Sequence, residues 1–190
     1  MSASRPRIPF TYEDYKSLPE SMERRYELLA GDLFMVPAPT TVHQIVSQNI
    51  EFILLTYVRK KTRGRILHSP VDVVLGTGAA REVVQPDILF VAAERASIIT
   101  RPEVVGCPDL VVEVLSPGTE ERDCNYKKTL YARYGAREYW IVDPDAKTLD
   151  RYVLGNNGFD APVRLNETAS FSSPLFPDLR LDCREIFLIE

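Results

Sequence analysis

A strand–helix–strand pattern in the second half of the chain restricts its fold more than any other feature. The segment DLVVEVL (109–115) is almost wholly apolar, as in a strand that is buried on both faces of a sheet. A helical segment follows and ends at Gly135, and EYWIVD (138–143) then reads as a second buried strand. Two strands joined by a helix form a parallel pair with a right-handed crossover. The sequence therefore predicts an α/β fold.

The rest of the chain adds strands and one long helix around this unit. The long helix is predicted to begin with a capping box of Thr41 and Gln44. Hydrophobic periodicity and turn residues predict these further elements: a short helix (11–18), two strands around a turn (25–37), the long helix (41–61), two strands (65–76 and 83–93) and a hairpin that turns at 155–158. Together they indicate a mixed β-sheet flanked by helices, with a C-terminal β-hairpin extension.

Length and composition indicate one domain over residues 1–190, with residues 1–9 as a loose N-terminal arm. No apolar run is long enough to span a membrane, and the N-terminus lacks the apolar core of a signal peptide. We therefore expect a cytoplasmic protein with no membrane partner. The three cysteines form no CxxC pair and are expected to be reduced, and two histidines are too few for a site that needs three.

The charge balance gives no general attraction to nucleic acid, because the formal net charge is -4. A local patch can still bind phosphate, since affinity depends on local rather than total charge. The segment VRKKTRGR (58–65) carries five positive charges and is a candidate for such a patch. The simpler interpretation is favoured, in which these cations are solvated and stabilise the C-terminal end of a helix dipole.

Glu113 lies in the middle of the first buried strand, where a carboxylate without a partner is either protonated or destabilising. Asp109 shares its face of the strand but lies roughly 13 Å away, too far for both to hold one ion. Asp87 follows Pro86 and opens a separate apolar strand, so it can lie beside Glu113 on an adjacent strand. Taken alone, Asp87 would cap the turn after Pro86, but its pairing with Glu113 favours a site.

A lysine partner for Glu113 follows from chain geometry. Beyond Glu113 the chain rises roughly 16 Å at the rise of a strand. The helix then returns about 12 Å by Lys127, which brings this residue back near the level of Glu113. Lys128 points about 100° away around the helix, so Lys127 is the favoured partner.

Glu27 is a further acid in an apolar context, and it either joins this cluster or forms a salt bridge with Arg24 or Arg25. Two or three carboxylates around a hard cation, with an ammonium nearby, can cleave phosphodiesters. The cation is bound through oxygen atoms, polarises the phosphate and lowers the pKa of its water. The ammonium stabilises developing negative charge or positions the water.

Six motifs occur in a fixed order along the chain: YELLAG, PAPTTVHQ, QPD, EVLSP, D…K…Y…G and EYWIVD. In this combination the chain closely resembles the Uma-two family. This is a large bacterial group regarded as endonucleases, which belongs to the PD-(D/E)XK restriction-endonuclease-like superfamily. The resemblance runs from residue 25 through residue 143 and beyond, and so covers most of the chain.

The resemblance implies a set of site residues. Asp87 and Glu113 match the two metal ligands of the superfamily, with Mg²⁺ or Mn²⁺ as the cofactor. The superfamily usually has a lysine two residues after the second acid, but this chain has Leu115 there. The family's lysine matches Lys127 on the following helix, and Glu27 matches an extra acid near the start of such folds. These four polar residues form the implied catalytic set.

The function implied by the resemblance is a metal-dependent endonuclease that hydrolyses the phosphodiester bonds of DNA and acts as a homodimer. His43 matches the histidine of the family motif and is expected either to line the cleft or to cap its helix locally.

Two alternative functions remain open at this stage. If Glu113 and Lys127 form a structural ion pair, the chain would be a non-catalytic module that binds nucleic acid or oligomerises. The acidic balance and Leu115 favour this alternative. A third class, a carboxylate-based hydrolase of small molecules, has no further support in the sequence.

Overall fold

The computed structural model describes residues 8–19, 25–61 and 63–189, so most of the predicted arm at residues 1–9 lies outside the described residues. The described helices are α1 (Tyr12–Lys16), α2 (Thr41–Lys61), two 3₁₀-helices (Gly78–Ala80 and Ala93–Ile98), a π-helix (Arg122–Lys127), α3 (Lys128–Arg133) and α4 (Cys183–Ile186). The described strands are β1 (Arg25–Leu29), β2 (Asp32–Val36), β3 (Gly64–His68), β4 (Val73–Leu75), β5 (Glu82–Val84), β6 (Ile88–Ala92), β7 (Val104–Val105), β8 (Leu110–Val114), β9 (Glu138–Asp143), β10 (Thr148–Gly155), β11 (Gly158–Phe159), β12 (Val163–Asn166), β13 (Ser170–Ser172) and β14 (Arg180–Asp182).

The larger sheet has the strand order β11-β10-β9-β8-β6-β3, and β12 pairs with the other part of β10. Strands β8 and β9 are parallel, as the strand–helix–strand pattern predicted, and their neighbours are antiparallel. Side chains alternate across β8 because a strand has a period of two. Val112 and Val114 pack in the cluster formed with α2, whereas Val111 lies in the cluster formed with Tyr131 of α3. Glu113 is therefore on the α3 side of the sheet.

A second, smaller sheet has the order β2-β1-β5-β4-β7. Residues 65–76 and 83–93 were each predicted as one strand, and both predictions were wrong. Each segment passes from one sheet to the other: β3 and β6 belong to the larger sheet, and β4 and β5 to the smaller one. The breaks contain Pro70 and Pro86. Proline interrupts a strand because it has no N–H to donate to the ladder.

Helix α2 has the predicted bounds but a different N-cap. The Oγ1 atom of Thr40 accepts a hydrogen bond from the backbone N–H of His43 at 3.1 Å, and the carbonyl of Thr40 accepts from Gln44 N at 3.0 Å. The capping box predicted for Thr41 and Gln44 was therefore wrong by one residue. With two consecutive threonines, the first caps because its carbonyl already accepts the first helical bond.

The C-terminal residues form the predicted hairpin extension and return to α2. Strand β10 pairs with β11 through the turn at 155–158, and α4 packs against α2. Asn49 Nδ2 of α2 donates to the carbonyl of Ile186 at 3.1 Å, which holds the end of the chain. Among the described residues, no helix combines the length and apolar character needed to cross a bilayer.

A buried carboxylate outside the candidate site fixes β9 to its neighbours. Glu138 is 1% exposed, and its oxygens accept four hydrogen bonds. Arg151 donates two, at 2.7 and 2.9 Å, while Trp140 Nε1 and Ser173 Oγ donate one each at 2.8 and 2.7 Å. If this carboxylate were removed, each of these donors would lose its acceptor. We therefore assign Glu138 a structural role.

We predict that Glu138→Ala lowers the free energy of unfolding by about 3–5 kcal/mol, because it leaves the Arg151 charge without a partner. Urea unfolding followed by circular dichroism measures the change. The matched control is Glu167→Ala, which removes an ion pair with Lys147 in which both side chains are exposed. It should cost less than about 1 kcal/mol. Equal losses in the two variants would contradict this role of Glu138.

Candidate active site

Acidic side chains from both sheets and from the π-helix meet where the sheets adjoin. Glu27 comes from β1 of the smaller sheet, Glu113 from β8 of the larger sheet and Asp123 from the π-helix. Their relative exposures are 1%, 3% and 1%. Three carboxylates this deeply buried require a positive partner, because burial disfavours the charged form.

The partner is Lys127, whose ammonium lies between all three acids. Its Nζ atom is 2.8 Å from Glu27 Oε1, 3.1 Å from Glu113 Oε1 and 3.1 Å from Asp123 Oδ1. The contact with Glu113 is a hydrogen bond, and Glu27 and Asp123 lie within ion-pair distance of the same ammonium. Lys128, the alternative from the sequence, lies outside the cluster with its Nζ 5.3 Å from the centre of the Tyr152 ring.

The π-helix brings two members of the cluster to the same side. Asp123 and Lys127 are buried, whereas Tyr126 between them is exposed. The sequence predicted an ordinary helix here. Instead, the turn between Arg122 and Lys127 is widened, and such turns occur frequently at functional sites.

Two tyrosines support the cluster from the α3 side. Tyr131 Oη donates to Glu113 Oε1 at 2.9 Å, so this oxygen accepts from both the phenol and the ammonium of Lys127. Tyr139 Oη donates to the backbone carbonyl of Asp123 at 3.1 Å. Both tyrosines are fully buried, and their contacts fix the acids at defined positions.

Asp87 lies beside Glu113, one residue before β6. The antiparallel register pairs Ile88 with Val112, so the next position along each strand brings Asp87 opposite Glu113. Asp87 Oδ2 accepts from the backbone N–H of Val114 at 2.8 Å and contacts His43 Nε2 at 3.1 Å. The carboxylate therefore binds the end of β8.

Glu27 and Arg25 do not form the salt bridge that was one of the alternatives. Glu27 Oε1 accepts from the backbone N–H of Gln85 at 2.9 Å and forms its ion pair with the shared ammonium. Arg25 Nη1 instead donates to Ser69 Oγ at 2.7 Å. The other proposed partner, Arg24, lies outside the described residues.

A comparison with protein families identifies the family of the chain. A family model named Uma2 and described as "Putative restriction endonuclease" matches residues 12–184. The chain belongs to the Uma2 family. The family predicted from the sequence motifs is thus confirmed. No curated protein matches the chain.

Solved structures give the fold of this Uma2 protein. The crystal structure titled as "a putative nuclease belonging to DUF820" from Anabaena variabilis is similar at a TM-score of 0.79, with 19% sequence identity. The match covers 94% of this chain and 98% of that one, which confirms the predicted restriction-endonuclease-like fold. The type IIG restriction endonuclease BpuSI aligns with 12% identity over 80% of this chain and 16% of its own. Its TM-score of 0.41 is too low to indicate a shared fold.

The electrostatics of the Uma2 cluster are dominated by burial. Burial raises the pKa of Glu113 well above its ordinary value, and the charge of Lys127 opposes this only in part. Burial also raises the pKa of Asp123. For Lys127, burial lowers the pKa, but the attraction of Glu113, Glu27 and Asp123 outweighs it, so the pKa of the ammonium is raised. Three carboxylates surround one ammonium, so the charge of Lys127 can compensate only one of them.

The cleft that opens onto the cluster suits a hard divalent cation. Glu27, Asp87, Glu113 and Asp123 line it, and all of them offer carboxylate oxygens. No group of three or more His, Cys, Asp or Glu side chains is arranged as a ready-made metal site within the described part of the chain. Mg²⁺ usually binds through only one or two carboxylates, together with water and substrate phosphate. The pair Asp87 and Glu113 therefore fits Mg²⁺ or Mn²⁺.

Sequence reasoning missed three residues of this cluster. Asp123 had a signal, because it lies four residues before Lys127, the spacing of side chains on one helix face. Tyr131 lies four residues after Lys127, at the same helical spacing, and contacts Glu113. Gln85, whose backbone N–H binds Glu27, had no signal beyond its place in the QPD motif.

We predict that stability falls as the pH rises above the ordinary pKa of Glu113, which is 4.5. Above this pH the unfolded chain has released the Glu113 proton while the folded chain still holds it. Each further pH unit therefore favours unfolding, by up to about 1.4 kcal/mol, until the raised pKa is passed. Urea unfolding at a series of pH values measures the slope. Glu113→Gln should flatten it, and an unchanged slope in that variant would refute this origin.

Proposed function

We propose that this Uma2 protein is a metal-dependent endonuclease that hydrolyses the phosphodiester bonds of DNA. The observation that carries the proposal is the cleft in which Asp87 and Glu113 lie side by side next to the buried ammonium of Lys127. This cluster has an excess of negative charge, and a divalent cation would neutralise it. A purely structural ion pair would need only one acid for one ammonium.

Asp87 and Glu113 would hold Mg²⁺ or Mn²⁺ in this proposal. When bound, such an ion lowers the pKa of its water and polarises the phosphate. The chain prepares Glu113 for this role, since Lys127 and Tyr131 both donate to Oε1, and Oε2 is left for the ion. Similarly, Val114 N and His43 hold Oδ2 of Asp87 and leave Oδ1 for the ion.

Lys127 has a double role in the proposal. Its charge lowers the pKa of Glu113 against the effect of burial, which favours the ionised carboxylate that binds cations. Three carboxylates surround the ammonium at 2.8–3.1 Å, and Lys127 would position the attacking water once one of them turns to the cation. Glu27 assists by holding the ammonium in place at 2.8 Å.

One observation favours the second candidate, a nucleic-acid-binding or oligomerising module without catalysis. Leu115, at the position of the superfamily lysine, packs against the core instead of entering the cleft. In such a module the only role of the implied catalytic residues would be to stabilise the fold. These residues are Glu27, Asp87, Glu113 and Lys127.

We also infer that the protein acts as a homodimer in the cytoplasm. Cutting both strands of duplex DNA needs two sites, and each chain provides one site of this composition in its described part. The three cysteines are free thiols, in keeping with a reducing compartment. Sedimentation velocity tests the dimer, and a single species with the mass of one chain would refute it.

We predict that the protein nicks or linearises plasmid DNA only when Mg²⁺ or Mn²⁺ is present. Asp87→Asn, Glu113→Gln and Lys127→Met should each lower the rate roughly 100-fold or more, because each removes a group that acts on the reacting phosphate or its cation. Agarose-gel cleavage assays at a series of metal concentrations measure this. Lys128→Met is the matched control, since its side chain lies outside the cluster, and it should cleave at the wild-type rate.

The same experiment separates the two candidates. Activity that persists in all three site variants would come from a contaminant and would contradict the catalytic role. If the protein is folded and binds DNA but cleaves no DNA at any metal concentration, the result would favour the non-catalytic module.

A further inference from the structure

A groove adjoins the candidate cleft and continues from it along α2. It lies between the first turns of α2 and the end of β3, and we call it the side groove. Its polar lining includes Arg25, Gln44, Ser47, Gln48, His68 and Ser69. The groove has a volume of about 310 Å³, at the lower end of the range of pockets that bury a small organic ligand.

The side groove and the cleft share part of their lining. Arg25, Pro39, His43 and Asp87 line both of them. A ligand at Asp87 can therefore continue into the side groove without leaving the surface. For a polynucleotide cut in the cleft, the neighbouring nucleotide of the same strand would lie in this groove.

Arg25 is the cation that such a strand would meet. Four basic side chains line the cleft or the side groove: Arg25, His43, His68 and Lys127. Lys127 has three carboxylate partners, His43 contacts Asp87, and His68 Nδ1 lies 3.4 Å from Glu51. Among the described residues, the arginine forms no ion pair and donates only to a neutral hydroxyl. Its positive charge thus remains for an anion.

The position of Arg25 is fixed relative to the cluster. It begins β1 two residues before Glu27, so the two side chains leave the strand on the same side. Its Nη1 atom donates to Ser69 Oγ at 2.7 Å, and Ser69 N donates to the backbone carbonyl of Asp87 at 3.0 Å. The guanidinium is therefore held next to the candidate metal ligand, with further N–H donors for a phosphate.

The opposite wall of the side groove offers neutral hydrogen-bonding groups and one acid, Glu51, which lies against His68. Gln44 and Gln48 are exposed on α2, and Ser47 lies between them. Amide and hydroxyl groups commonly bind phosphate and sugar oxygens, and such contacts position a strand without selecting its sequence. The wall therefore complements one strand backbone.

We propose that Arg25 binds the phosphate next to the scissile one, and that the side groove holds the adjoining nucleotide of the same strand. This inference rests on the proposed function, since the strand is that of the nucleic-acid substrate. It makes Arg25 a positioning residue for the strand whose contact is independent of base sequence.

The test is binding of a fluorescein-labelled single-stranded DNA oligonucleotide in EDTA, followed by anisotropy between about 50 and 200 mM NaCl. Arg25→Gln should weaken binding about tenfold, equally for two unrelated sequences. It should also reduce the slope of log affinity against log salt by about 0.7, the value for one phosphate contact on a single strand. Arg25→Lys should keep the salt slope because it keeps the charge.

Two further variants test the proposal without depending on whether the Arg25 variants fold. Gln48→Glu adds a negative charge to the exposed wall of the side groove and should weaken binding several-fold. Arg180→Gln removes an exposed arginine of β14 that lines neither cavity, and it should bind like the wild type. Equal salt slopes in wild type and Arg25→Gln, or no binding of this probe by the wild type, would overturn the proposal.

Failure of this inference can be told apart from failure of the proposed function. Binding that depends on Arg25, in a protein that never cleaves, would keep the side groove and refute the nuclease. Metal-dependent cleavage with no effect of Arg25→Gln on binding, salt slope or KM would keep the nuclease and refute the side groove.

Discussion

The ammonium of Lys127 is the contact on which the candidate site depends. It forms ion pairs with Glu27 of the smaller sheet, Glu113 of the larger sheet and Asp123 of the π-helix. Loss of the lysine would leave three buried carboxylates without compensation, which is among the most destabilising changes in a protein interior. The same contact that holds the sheets together therefore also sets the distances within the site.

The balance of charge around Lys127 bears on what the cluster can bind. One ammonium compensates one of three acids, and burial raises the pKa of Glu113 so that a proton is easily retained there. A proton and a divalent cation are alternative ways to neutralise the same excess. Tyr131 supports either state, because its hydroxyl donates to the oxygen of Glu113 that Lys127 also contacts. The cluster thus contains more acids than a single salt bridge needs.

The sequence predicted the candidate site better than it predicted the strands around the site. Lys127 could be assigned because strand and helix rises are fixed quantities, and Asp87 because an acid that opens a second core strand has few other places to lie. Asp123 was missed although its spacing of four residues before Lys127 was a signal, and no sequence rule indicates the π-helix at this point. The prediction of one strand over residues 65–76 was also wrong. Apolar periodicity indicates the two faces of a strand but not the sheet to which the strand belongs.

The exchange of strands between the two sheets has a consequence for folding. Glu27 and Lys127 are 100 residues apart in the sequence, and their contact requires that β1, β8 and the π-helix have all reached their final positions. Contacts of such high sequence separation form late, because the loop entropy must be overcome first. A growing chain that ends before residue 127 holds Asp87 and Glu113 but lacks their ammonium. The chemistry of the cluster is thus tied to completion of the fold, and a nascent or partly unfolded chain does not carry it.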